Sequence, residues 1–330
     1  MIPFIADLRE RASRTNQKIA LPEGHDVRVL HAAAEIASTG LARPVVLGNA
    51  AEVEQTAREA NVSLSDIQTL DPTASEKAQS YAQMWFQRRK HKGMTYEKAR
   101  EMVADPLLFG DLMVRAGDAD GCVCGCDTSS ADVVRTAIQV LGVAEGSALV
   151  SSFFLMVLPD GRPVTFADCG VNPDPDAAQL AGIGVDAARN HEFLTGQKPR
   201  VAFLSFSTKG SAEHPRVDKV REAVRLAKEQ APDLPLDGEF QFDAAFVPSV
   251  AKRKAPDSEI QGDANVFVFP DLDSGNIGYK ITQRLGGAEA FGPILQGVAG
   301  AANDLSRGAD AEDIVNVTAI TALQAAAIQA

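Results

Sequence analysis

The sequence predicts an α/β protein of about two domains. Three observations carry this expectation. The chain has 330 residues, more than one ordinary hydrophobic core supports. Short apolar runs alternate with longer amphipathic stretches, the pattern of parallel strands joined by helical crossovers. A strong turn, Pro159-Asp160-Gly161-Arg162, separates two apolar runs and breaks that alternation with a hairpin. The second region is therefore expected to hold a mixed sheet.

Taken in order, Lys18-Ile19-Ala20-Leu21 reads as a strand, and a helix follows over 27–38 with Gly40 as its stop. Residues 44–47 form the next strand, with a helix near 50–60. Two or three helices occupy 75–117. Residues 120–124 form a strand that runs into the loop 125–130 and a helix through Arg135. The hairpin covers 149–158 and 163–168. Alternation resumes with a strand at 200–206, a helix at 215–230, strands near 236–240 and 265–269, and a helix at 275–285. Asn303-Asp304-Leu305-Ser306-Arg307-Gly308 then reads as a polar turn between apolar segments. Asp310 is placed as the N-cap of a last helix. Glu312 and Asp313 lie in its first turn, and Ile314, Val317, Ile320 and Thr321 form its buried face.

Composition narrows the function classes. The apolar fraction of 45% is ordinary for a globular protein, and the net charge of −12 argues against nucleic acid or anionic membranes as partners. The run Arg88-Arg89-Lys90-His91-Lys92 is the strongest local basic patch; it suits either an anion pocket or a solvated helix end. No apolar stretch reaches the ~18 residues of a membrane span. The start, MIPFIADLRERA, lacks a signal-peptide pattern, so a cytoplasmic location is expected. Cys122, Cys124 and Cys126 alternate, which on a strand places them on one face, and Cys169 is distant. Small reduced interior thiols are expected rather than a disulfide or metal site.

The polar turn near the end offers a hydroxyl, a guanidinium and a carboxylate together. Ser306 suits an oxyanion donor, Arg307 a phosphate ligand and Asp313 a base. Each also has a plain alternative. Asp313 has the capping-box spacing from Asp310, Arg307 could form a surface ion pair, and Ser306 is a common turn residue. Thr128, Ser129 and Ser130 lie in the loop before the helix of Arg135. Backbone N–H groups at such a helix start gather an anion, although the three hydroxyl residues also suit plain caps. STKGS at 207–211 looks like a phosphate loop but lacks GxxxxGK, and no GxGxxG follows a strand.

Several long segments resemble the phosphate acetyltransferase (phosphotransacetylase) family. They are SFSTKGSAEHPRVDKVREA at 205–223, DGEFQFDAA at 237–245, FPDLDSGNIGYK at 269–280, GPILQG at 292–297, and NDLSRG with Glu312-Asp313-Ile314-Val315. The resemblance implies two three-layer α/β/α domains with a cleft between them, like the isocitrate and isopropylmalate dehydrogenases. Domain I would be 1–143 plus 296–330, and domain II 144–295. The implied reaction is reversible acetyl transfer between CoA and inorganic phosphate, by direct thiolate attack in a ternary complex. The ligands would be acetyl-CoA, CoA, phosphate and acetyl phosphate, with no cofactor and no metal. A homodimer and a place in acetate metabolism are implied too.

The resemblance assigns Ser306, Arg307 and Asp313 to catalysis. It adds Arg89, in RKHKGMT, and Arg135 as substrate-binding cations, with Thr128, Ser129 and Ser130 as plausible contacts. A base of this kind faces an energetic gap. A thiol near pKa 8.5 and an Asp near 3.9 differ by roughly 6 kcal/mol against proton transfer. Desolvation of Asp313, cations beside the thiolate, or transfer concerted with attack would each close it. Two alternatives stay open: a phosphate butyryl- or propionyltransferase, and a non-catalytic acyl-CoA-sensing domain.

Overall fold

The computed structural model describes residues 3–329. Helix α1 spans Pro3–Ser13 and strand β1 Lys18–Leu21. Helix α2, Val27–Thr39, starts where the Asp26 carboxylate accepts the Arg28 N–H. It stops at Gly40, which has φ 66°, the left-handed conformation that favours glycine. Strand β2 (Arg43–Leu47), helix α3 (Ala50–Glu59) and strand β3 (Gln68–Leu70) follow. The 75–117 region holds α4 (Ala78–Arg89), a 3-10 turn at Lys90–Lys92, α5 (Tyr96–Met102) and α6 (Pro106–Ala116). Strand β4, Gly121–Cys124, leads to α7, Ser130–Val140.

The hairpin is present as β5 (Ser151–Val157) and β6 (Pro163–Ala167), paired antiparallel. Then come α8 (Ala177–Thr195), β7 (Val201–Leu204), α9 (Pro215–Gln230), β8 (Leu236–Phe240), α10 (Phe242–Phe246) and α11 (Pro248–Lys254). Strand β9 (Val266–Val268), helix α12 (Leu272–Arg284) and strand β10 (Glu289–Gln296) follow. The chain ends in β11, Ala301–Asp304, and α13, Ala311–Gln329.

The chain divides into two compact units. One comprises the residues up to Ala144 and from Val298 onward, the other Glu145–Gly297. Among the described residues the first unit has a five-stranded sheet in the order β11-β4-β1-β2-β3, all parallel. Helices α6 and α7 pack on it as one group, and α2, α13 and α1 as another. Helix α13 is buried nearly throughout, including Ile314, Val317, Ile320 and Thr321, so it is a core element of this unit. The second unit has a six-stranded mixed sheet, β10-β5-β6-β9-β7-β8, antiparallel at the hairpin end and parallel at the other.

One expectation needs correction. Cys126 does not share a strand face with Cys122 and Cys124, because β4 ends at Cys124. The strand stops at Gly125, whose φ is 122°. A Cβ there would lie 2.4 Å from Asp304 Oδ1 and 2.7 Å from the Leu305 N, so only glycine fits. All four thiols are buried and free of disulfides.

Candidate active site

Three loops leave the first unit's sheet side by side. Strands β1, β4 and β11 are parallel neighbours, with Ala20 opposite Cys122 and Asp304 opposite Cys124. The chain runs outward from β1 to β2 and β3, then returns on the far side of β1 as β4. The gap between β1 and β4 is a topological switch point, where open α/β sheets collect ligands beyond the carboxyl ends of their strands. Residues 22–26, 125–129 and 305–310 emerge at that edge.

Arg28, in the first turn of α2, ties the three loops together. Its guanidinium bonds both oxygens of Asp26 and donates to the carbonyls of Cys126 (2.8 Å), Arg307 (2.9 Å) and Ala309 (2.8 Å). The Asp26 bond raises its pKa above the ordinary arginine range, so this staple stays charged. The Leu305 N–H donates to the Cys124 carbonyl at 2.8 Å and closes the joint between β4 and the turn.

On that pinned turn, Ser306 and Arg307 are exposed. The Ser306 Oγ accepts the Gly308 N–H at 3.3 Å. The Arg307 carbonyl is held, but its guanidinium has no partner among the described residues. Asp313 and Asp310 form a reciprocal capping box. Asp313 Oδ2 accepts the Asp310 N–H at 3.1 Å, and Asp310 Oδ1 accepts the Asp313 N–H at 2.9 Å. The plain role of Asp313 is thus realised. The same bond fixes the orientation of its carboxylate.

Loop 125–128 departs from expectation. Its backbone N–H groups do gather an anion, but the anion belongs to the chain. Glu23 Oε2 accepts from Gly125 (3.0 Å) and Cys126 (2.8 Å), and Oε1 from Asp127 (2.8 Å) and Thr128 (2.8 Å). Charge-assisted bonds of this kind contribute about 1.5–3 kcal/mol each. These four amides are therefore filled by the chain's own carboxylate. The Thr128 hydroxyl accepts from the Cys124 thiol at 3.7 Å. Ser129 caps α7 by accepting the Asp132 N–H at 3.2 Å, and it donates to the Asp132 carboxylate at 2.7 Å. Ser130 faces Asp304.

Asp304 is fully buried, and neither of its carboxylate oxygens has a hydrogen-bond partner at normal geometry among the described residues. Burial pushes its carboxyl up to about 7. Burial also pushes the Cys126 thiol up to about 12, which makes it a poor nucleophile.

The predicted site residues fall into two groups. Ser306, Arg307, Thr128 and Ser129 lie on loops joined by Arg28, and Ser130 and Asp313 lie in the first turns of the helices α7 and α13 that follow those loops. Arg135 stands on the exposed side of α7, paired with Asp132. Arg89 stands apart: its guanidinium lies 5.6 Å from the centroid of the Trp85 ring. Its neighbour Arg88 donates to the Gln139 carbonyl near the far end of α7. Among the described residues no hydrogen bond or ion pair joins Arg89 to the turn. Sequence reasoning missed Glu23, Arg28 and Asp304. The signal for the first two was the polar turn Pro22-Glu23-Gly24-His25-Asp26 directly after a parallel strand.

Residues 3–322 match the family model described as phosphate acetyl/butaryl transferase. The phosphate acetyltransferase of Acetivibrio thermocellus is 50% identical, over 99% of this chain and 99% of that protein. The crystal structure of a phosphotransacetylase from Streptococcus pyogenes superposes with a TM-score of 0.93 at 46% identity, over 98% of each chain. A 4-hydroxythreonine-4-phosphate dehydrogenase from Klebsiella pneumoniae shares the fold, with a TM-score of 0.53 at 15% identity over 94% of this chain and 99% of that one.

Proposed function

The chain belongs to the phosphate acetyl/butaryl transferase family, and from that premise we propose that it is a phosphate acetyltransferase. It moves an acetyl group reversibly between CoA and inorganic phosphate. The observation that carries the reading is the pinned turn: Ser306 and Arg307 are exposed on it, the Arg307 guanidinium has no partner among the described residues, and the Asp313 carboxylate lies on the next helix.

In the direction of acetyl-CoA synthesis, the CoA thiolate attacks the carbonyl carbon of acetyl phosphate. The C–S bond forms, the carbonyl oxygen takes up negative charge, and the C–O bond to phosphate then breaks. Phosphate leaves with the electron pair. Ser306 donates to the carbonyl oxygen as its charge grows, and Arg307 holds the phosphate with its planar fork. Asp313 takes the thiol proton and so supplies the thiolate that attacks. The step balances without a metal or a redox cofactor. Arg135 and Arg89 supply cations for the phosphates of CoA, whose length lets one ligand reach several points of the surface. Thr128, Ser129 and Ser130 supply hydroxyls on the phosphate side.

The protein acts as a homodimer in the cytoplasm. Support for self-association is an exposed apolar stripe, Ile277, Ile281 and Leu285, at helical spacing on and just after α12. The four free cysteines fit a reducing compartment. The net charge of −12 fits small anionic ligands held by local cations rather than nucleic acid or membranes. No described helix is long and apolar enough to cross a membrane. Acetyl is favoured over butyryl or propionyl, a preference that pocket shape sets at about 1–3 kcal/mol per methylene. The test is release of free thiol from acetyl-CoA with and without phosphate, repeated with a panel of acyl groups. Release that requires phosphate supports the reading; release indifferent to phosphate refutes it.

A further inference from the structure

We infer that Glu23 is a positioning residue of this site: an internal anion that fills the amide nest of residues 125–128, sets the stance of Thr128, Ser129 and Ser130, and keeps substrate phosphate out of the nest. The role in substrate placement rests on the acetyl-transfer reading. The filled nest does not.

Four consecutive backbone N–H groups converge on one side chain, two on each carboxylate oxygen, at 2.8 to 3.0 Å. Glu23 is 3% exposed, so water does not compete. Consecutive amides curled in this way make an anion-binding concavity. A substrate phosphate that entered it would meet a carboxylate already in place, and like charges repel strongly at short range. The donors left for substrate are those beyond the nest: the hydroxyls of residues 128–130, the start of α7, and Arg307.

The carboxylate is rigidly mounted. The Gly24 N–H donates to the Leu47 carbonyl at 3.0 Å, and a Cβ at Gly24 would lie 2.6 Å from Val46 and 2.8 Å from the Leu47 oxygen. The segment that carries Glu23 is thus pressed against the end of β2 with no room to shift. At the other end, Thr128 is followed at once by Ser129, the N-cap of α7. Moving the loop means breaking the carboxylate's bonds. Arg28 passes the constraint onward, from the Cys126 carbonyl to the carbonyls of Arg307 and Ala309.

The second unit repeats the device. Glu239, 2% exposed, accepts from the Ser207 hydroxyl (2.8 Å), the Gly210 N–H (2.9 Å) and Arg221 (3.1 Å). The STKGS segment that looks like a phosphate loop is likewise curled around a carboxylate of its own chain.

The test uses the full chain as wild type, Glu23→Ala and Glu23→Gln. Formate is the probe, because it is a carboxylate without a tether. In thermal melts, formate raises the melting temperature of Glu23→Ala beyond a matched chloride control and leaves the other two unchanged. In steady-state assays, Glu23→Ala loses about 10²-fold in kcat through a misplaced loop, and formate restores a large part of it. Its KM for phosphate changes while that for acetyl-CoA stays within about twofold, a split that general loss of packing would not produce. Glu23→Gln fills the same volume but turns a donor toward two amides, so its kcat falls and formate does not rescue it. Formate that alters neither the melt nor the rate of Glu23→Ala overturns the inference. So does Glu23→Gln with wild-type kcat and wild-type KM for phosphate, which also decides the matter should Glu23→Ala not fold. A wild-type chain without phosphate-dependent transfer sinks the acetyl-transfer reading and the substrate-placing role with it; the formate melt then decides the nest alone.

Discussion

Replacing Asp313 by Asn separates its two roles, because the structure shows what the substitution keeps. The capping box needs an acceptor on residue 313 for the Asp310 N–H, now at 3.1 Å, and the Asn carbonyl supplies one. The reverse bond, from the Asp313 N–H to Asp310 at 2.9 Å, involves only the backbone of residue 313 and survives. The negative charge lost from the first turn of α13 costs about 0.3–1 kcal/mol of stability. That corresponds to about 2–4 °C at most in the melting temperature of a unit this size. What is lost for chemistry is the proton acceptor. If Asp313 is the base, kcat with CoA as attacking thiol falls by about 10²–10⁴-fold. The residual rate then climbs with pH toward the thiol's own pKa, because hydroxide supplies the thiolate. The assay is kcat against pH for both proteins, with thermal melts alongside. A variant with normal kcat, an unchanged pH profile and a slightly lowered melting temperature would refute the base assignment and leave Asp313 as a cap.

Two further outcomes are expected. Arg307→Ala removes a cation that has no partner among the described residues, so stability holds while kcat/KM falls by about 3–5 kcal/mol, mostly in kcat; Arg307→Lys recovers only part because a point charge lacks the fork. Near-normal kcat in the Ala variant would remove Arg307 from the chemistry. Asp111 is buried in α6, its Oδ2 has no partner among the described residues, and burial raises its carboxyl from 3.8 to about 7. The folded chain therefore keeps a proton that the unfolded chain has released. Its contribution to stability is fully present below about pH 4 and lost as pH rises to about 7, a swing on the order of 4 kcal/mol. Asp111→Asn should gain stability relative to wild type across that window and hold the gain above it; parallel stability–pH curves would contradict this.

The parts of the fold legible in the sequence are those whose pattern follows from burial. Strands β1, β2 and β4 sit inside a parallel sheet and read as short apolar runs, and α9 reads as an amphipathic helix between Pro215 and Gln230. Helix α8 was not legible because it is buried along most of its length. Gly182 and Gly184 thin its pattern, and Gly184 lies against the Phe203 ring, where a Cβ would be 2.5 Å away. Strand β11, Ala301-Ala302-Asn303-Asp304, carries half polar residues and reads as part of a turn. Its polar side chains are buried, with Asn303 bonded to Thr321 and Gln324 on α13. In the site, Ser306, Arg307 and Asp313 stood out because they are close together in sequence. Glu23 and Arg28 did not, because the partners they hold on the other two loops lie about a hundred residues or more away, and only the parallel order of β1, β4 and β11 brings them together. The capping box of Asp310 and Asp313 was legible from spacing alone. That Glu23 already occupies the loop's amides was not.

The most direct test of acetyl transfer by direct attack is isotope exchange between labelled inorganic phosphate and acetyl phosphate, measured with and without CoA. A ternary complex moves the acetyl group only when the thiol is present. Exchange of label is expected to depend strictly on CoA. Exchange without CoA would reveal a covalent acyl-enzyme and overturn direct attack; no exchange even with CoA would overturn the activity itself.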